Sequence, residues 1–170
     1  IISLPVPVPV LIEGPVGSGK TAMVQQVADQ LGFRLITVIL SLFDPVDFKG
    51  IPCVETDEDG NKTTLWITPA MWPSINDGKT VIFFDESHRA PKALEAPNLT
   101  LLHGGKGGQY QLPPETRIIA ACNGKYDSGT RALGNAANNR FAHFDMVPSN
   151  DEFKTWAIAN NIDEDIISYL

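Results

Sequence analysis

The chain has 170 residues, 43% of them hydrophobic, which is enough for one sizeable core and too few for two. Thirteen basic against twenty acidic side chains leave a net charge of -7, so broad salt-driven binding to nucleic acid or anionic lipid is disfavoured. No apolar run reaches the roughly 18 residues that a membrane span needs. Acid clusters at Glu55, Asp57, Glu58 and Asp59 and again at Asp163, Glu164 and Asp165, as solvated loops do. Cys53 and Cys122 lack C-x-x-C spacing, and His88, His103 and His143 lie far apart, which argues against a zinc site or a disulfide framework. That pattern suits a reducing cytosol, so a cytoplasmic location is expected. The sequence opens at Ile1 without a methionine or a signal-like segment, as a fragment would.

The prolines of "LPVPVPVLIEG" cannot donate ladder hydrogen bonds, so a buried strand is expected only around residues 10–13. Met23, Val24, Val27, Ala28 and Leu31 then mark one face of a helix that Gly32 ends. "RLITVILS" (34–41) is a second apolar strand, and "CVETDEDGNKTTLWI" (53–67) reads as a hairpin turning near Asp59-Gly60-Asn61. "TVIFFDES" (80–87) is a third buried strand. A helix is expected over about 91–102, with Pro97 either kinking it or marking its real start.

"HGGKGGQYQLPPE" (103–115) reads as a second hairpin or a flexible loop, and "TRIIAACN" (116–123) as a fourth strand. A helix over 131–139 leads into "RFAHFDMV" (140–147), a fifth strand. Ser149 followed by Glu152 is a capping box opening one more helix, and "DEDIISYL" starts another. Continuous apolar strands alternating with helices predict an α/β fold, a parallel sheet covered on both faces.

"GPVGSGKT" (14–21) matches G-x-x-x-x-G-K-[ST] between a predicted strand and a predicted helix, the context that a phosphate-binding loop requires. Its glycines let the backbone wrap an anion, with amides and the helix N-terminus pointing at it. Gly14, Pro15, Val16, Gly17, Ser18, Gly19, Lys20 and Thr21 are the candidate ATP-binding set. Lys20 would neutralise the β- and γ-phosphates, and Thr21 with Asp85 would hold Mg²⁺. Glu86, the second carboxylate, is placed to polarise an attacking water, although two acids can also simply end an apolar strand. Asn123 closes the fourth strand. It reads either as a turn dipeptide with Gly124 or as a carboxamide orienting water opposite Glu86, the latter if this strand lies beside the first.

Together "GPVGSGKT", "DPVDFKGIP", "VIFFDESHRAP", "LPPETRIIAACN" and "NNRF" resemble the AAA+ ATPases, and within them the MoxR-like branch with its helix-2 insert. The resemblance implies a P-loop NTPase core with a five-stranded parallel sheet in the order 5-1-4-3-2, assembling as a ring, usually a hexamer. It implies a nucleotide-binding domain over 1–148 and the beginning of a helical lid over 149–170. Asn123 then looks like sensor 1, the hairpin near 51–67 like the helix-2 insert, and the loop 103–112 like the pre-sensor-1 hairpin. Arg140 looks like an arginine finger reaching a neighbour's γ-phosphate, though an arginine also suits a helix C-terminus. Arg89 and Arg131 are weaker interface candidates.

The sequence departs from the family pattern at His88, where asparagine is usual, and at Pro97, and the sensor-2 arginine is not located. The likeness implies ATP hydrolysis that remodels or matures a protein client, with a von Willebrand factor A domain protein as a frequent partner. Lys106 and Tyr110, beside four glycines, could grip a polypeptide or be ordinary strand residues. A DNA-dependent motor, a non-hydrolysing regulatory subunit and a small-molecule kinase are the other readings. The last would need an acceptor pocket that the sequence does not display.

Overall fold

The computed structural model describes residues 8–123 and 135–168; Arg131 and the first part of the helix expected over 131–139 lie outside them. In chain order, β1 (Val10–Glu13) leads into α1 (Lys20–Gln30) and β2 (Arg34–Ile39). Next come α2 (Pro45–Lys49), the antiparallel hairpin of β3 (Ile51–Thr56) and β4 (Lys62–Ile67), and β5 (Thr80–Asp85). α3 (Glu95–Gly104), the short pair β6 (Lys106–Gly107) and β7 (Tyr110–Gln111), and β8 (Thr116–Cys122) follow. The described chain closes with α4 (Asn135–Asn138), β9 (Ala142–Asp145), α5 (Asn150–Ala159) and α6 (Glu164–Ser168).

Five of these strands form one parallel sheet in the order β2-β5-β8-β1-β9. Counted by their place in the sheet and read from β9, that is the expected 5-1-4-3-2. The central strands are apolar over most of their length because both faces are covered, with polar residues only at their ends. Alternation divides their side chains between two layers. Val10, Ile12, Val81, Phe83, Ile119 and Ala121 pack beneath Val24 of α1. Leu11, Ile82, Phe84, Ile118 and Ala120 face the other way, against Phe48, Trp72, Leu94 and Leu101. Phe48, Phe83 and Phe84 are fully buried, each worth about 1.5–3 kcal/mol relative to exposure.

Pro97 marks the start of a helix rather than a kink. It is the third residue of α3, where a missing amide hydrogen breaks no intrahelical bond. The fifth strand is shorter than the apolar run that predicted it, and it is the outer strand of the sheet, with Phe144 exposed. The Ser149 cap is present, its hydroxyl accepting from the Glu152 amide.

The residues suspected of gripping a client are tied down in part. Tyr110 packs against the core, and its hydroxyl donates to the Pro73 carbonyl. Of the two readings of Tyr110, the ordinary strand residue is the one observed.

The β3–β4 hairpin leaves the body at Gly50, where φ is 85° and an added Cβ would stand 2.0 Å from the Ile67 carbonyl oxygen. Gly50→Ala is therefore expected to destabilise the fold by about 2–4 kcal/mol, from left-handed strain plus backbone displacement. Gly60→Ala, at the open hairpin tip with a similar φ, is expected to cost less. Urea midpoints compare the two; equal losses would contradict the steric account.

Candidate nucleotide site

The loop after β1 is held from both sides by its neighbouring strands. The Gly14 amide donates to the Cys122 carbonyl of β8, and the Met146 amide, just past β9, donates to the Glu13 carbonyl. A Cβ on Gly14 would stand 2.9 Å from the Met146 oxygen, so only glycine lets that strand end come so close. Gly17 and Gly19 have φ of 75° and 84°, with open space where a side chain would stand. α1 begins at Lys20 with no side-chain cap and no acid in its first turn, so its N-terminal amides and the positive end of its dipole remain available to an anion.

Lys20 is only 8% exposed. Its ammonium donates to the Gly14 and Pro15 carbonyls at 2.9 and 2.7 Å and to Asn123 Oδ1 at 3.2 Å. Burial pulls its pKa below the usual lysine value, and the Asp85 charge partly offsets that. The adjacency on which the reading of Asn123 depended is present, since β8 pairs directly with β1. Asn123 thus meets the loop lysine.

The carboxylates come from the end of β5, two strands from β1. Thr21 Oγ1 donates to Asp85 Oδ2 at 2.8 Å, which places a hydroxyl beside a carboxylate, the hard-oxygen set that Mg²⁺ prefers. With a buried ammonium, an uncapped helix and an open glycine loop beside it, the donor set fits a magnesium-bound polyphosphate. The other Asp85 oxygen accepts from the Glu86 amide at 2.9 Å. Glu86 has a left-handed backbone, φ 49°, which costs a non-glycine residue roughly 1–3 kcal/mol and is typical of functional positions. Its carboxylate lies 3.4 Å from Arg89 Nη1 in an exposed, weak pair. Arg89 thus stands beside its own chain's Glu86.

Two residues beside the site have contacts that the sequence does not display, His88 standing out there only as a departure from the family pattern. Buried Ser87 donates to the Ala121 carbonyl at 2.9 Å, and His88 Nδ1 accepts from the Asn123 amide at 3.4 Å. They clamp the carboxylate end of β5 to the asparagine end of β8. The signal was a pair of polar residues directly after the acids, which is also how an ordinary loop begins.

Arg140 sits elsewhere. It occupies the turn between α4 and β9, where the Phe141 amide donates to the Asn138 carbonyl and the Arg140 amide to the Ala137 carbonyl. β9 runs parallel to β1, so Arg140 precedes the start of a strand whose far end abuts the phosphate loop. At about 3.3 Å per residue the two are separated by roughly 15 Å. A cleft of about 170 Å³ between Pro9, Leu101 and Thr116 also lies at the strand starts, away from the loop.

The sequence model described as "ATPase family associated with various cellular activities (AAA)" matches residues 10–148. The chain belongs to the AAA ATPase family. Over 166 residues this AAA ATPase is 26% identical to the denitrification regulatory protein NirQ of Stutzerimonas stutzeri, covering 91% of the chain and 58% of that relative. Among solved structures it resembles RuvB of Thermotoga maritima, a Holliday junction branch migration motor, with a TM-score of 0.57 and 19% identity. That match covers 87% of this chain and 41% of RuvB. A candidate ATPase of Cytophaga hutchinsonii gives a TM-score of 0.60 and 20% identity, over 95% and 49% of the two chains. At such identities the structural likeness carries the fold alone, a P-loop AAA architecture; nucleotide binding is implied by the family match over residues 10–148. The AAA ATPase spans little more than half the length of NirQ and less than half of these structures. No helix among its described residues is long and apolar enough to cross a membrane.

Proposed function

We propose that the chain is the nucleotide-hydrolysing part of a MoxR-like AAA+ ring motor, usually hexameric, that uses ATP to remodel or mature a protein client. The observation that supports this best is the convergence at the strand ends. Lys20 is bonded to Asn123, Thr21 to Asp85, and Glu86 follows on a strained turn clamped to the Asn123 strand. A site that only bound nucleotide would not need Glu86 or Asn123.

In this reading the loop amides, residues 14–21, wrap the phosphates and Lys20 exchanges its carbonyl partners for phosphate oxygens. Thr21 and Asp85 would hold Mg²⁺, which would supply charge neutralisation at the polyphosphate. Glu86 accepts the proton of the attacking water, and Asn123 orients that water from the opposite side. Arg140 acts on the nucleotide of the adjacent copy, which its distance from its own loop favours. Residues 1–148 form the nucleotide-binding domain, and α5 and α6 begin the helical lid over 149–170.

A protein client suits a chain of net charge -7 whose hairpin tip is acidic; a von Willebrand factor A domain protein is the partner that the MoxR-like likeness implies. The test is phosphate release by the full-length protein with ATP, with and without duplex or single-stranded DNA, alongside mass measurement with a slowly hydrolysed analogue. Turnover without DNA by a species several times the monomer mass is expected. Turnover that appears only with DNA would replace the client reading, and a monomer at full rate would remove the ring.

A further inference from the structure

His143 lies in β9, three residues after Arg140, and both of its ring nitrogens are engaged. Nδ1 is 2.9 Å from the Glu13 carboxylate, one residue before the phosphate loop. Nε2 is 2.9 Å from the Asn138 carbonyl, the same oxygen that closes the turn carrying Arg140. We propose that His143, by bridging Glu13 to Asn138, is a positioning residue that fixes where the Arg140 turn stands relative to the phosphate loop. The proposal rests on Arg140 being the residue that acts across the subunit boundary.

The chemistry of the bridge is specific. A carboxylate and a carbonyl both accept, whereas a neutral imidazole donates from one nitrogen only. Two contacts of 2.9 Å to two acceptors therefore call for the imidazolium. Its environment agrees. Glu13 from β1 and Asp145 from β9 are the charged groups that act on it, and both favour the protonated ring. The Asn138 carbonyl first, then the Glu13 carboxylate, hold its pKa above the ordinary histidine value. The sign follows. The charged bridge is complete below about pH 6.5 and is lost as pH rises through the raised value. Above it one of the two links faces lone pair against lone pair, and the turn is released from the strand that feeds the loop.

The experiment is the pH profile of kcat and KM for ATP in the full-length protein. For the parent chain kcat is expected to fall about five- to tenfold across that titration, the equivalent of one hydrogen bond, with KM unchanged. His143→Gln should flatten the profile at the lower level. Glu13→Gln, which removes the facing charge, should move the midpoint to lower pH. His143→Gln should cost nothing further when added to Arg140→Ala, whose residual turnover is read by single-turnover release of labelled phosphate. A His143→Gln profile with the parent midpoint, or losses that multiply in the double variant, would overturn the proposal. The subunit-mixing experiment on Arg140 tests the trans reading separately, because it leaves His143 intact.

Discussion

Glu86→Gln is expected to bind ATP as tightly as the parent chain while losing about 10²–10⁴ in kcat, the usual contribution of a positioned general base. The amide has the size and reach of the carboxylate but cannot take a proton. The pair with Arg89 is exposed and its loss is of little weight. The Asp85 bond to the Glu86 amide is made by the backbone, so the turn itself should survive. Equilibrium titration with a fluorescent ATP analogue and steady-state phosphate release read the two quantities apart. Turnover within about threefold of the parent would take the base role away from Glu86.

Arg140→Ala carries the largest expected effect, a loss of about 10³–10⁵ in rate, or about 4–7 kcal/mol of barrier. The decisive measurement mixes Arg140→Ala with Glu86→Gln subunits. Each pure ring should be nearly inactive, yet mixed rings contain boundaries where an intact Glu86 faces an intact Arg140, and these should recover turnover. Absence of recovery at every ratio, in rings whose mixing is verified by mass, would remove the trans assignment. The trans assignment is what the family likeness implies, and the placement suits it, since an arginine at the start of an outer strand lies a strand length from its own loop.

The parts of this molecule that were legible in the sequence are those written in consecutive residues. "GPVGSGKT" announces a strand, a turn and a helix at once, and "VIFFDE" carries both burial and chemistry in six positions. Pairings between distant residues were not legible. That β8 inserts between β5 and β1 is not encoded in hydrophobic patterning and was expected only from the family likeness, whose order 5-1-4-3-2 the sheet follows; the contact of Asn123 with Lys20 comes with it. Ser87 and His88 look like the start of a loop until the Ala121 carbonyl and the Asn123 amide are seen opposite them. In the sequence the histidines are scattered, because spacing along the chain relates them only to one another. His143 instead meets a glutamate 130 positions upstream. Tyr110 was undecided for a related reason, as its partner is a proline carbonyl that sequence gives no cause to single out.

The folded-back lysine has a further consequence for what the loop will admit. Its ammonium already has two carbonyls, a carboxamide and the Ser18 hydroxyl as company, so an incoming anion must displace standing contacts. A polyphosphate tail, with oxygens enough to reach the ammonium and the loop amides together, would replace those contacts more fully than a single small anion would.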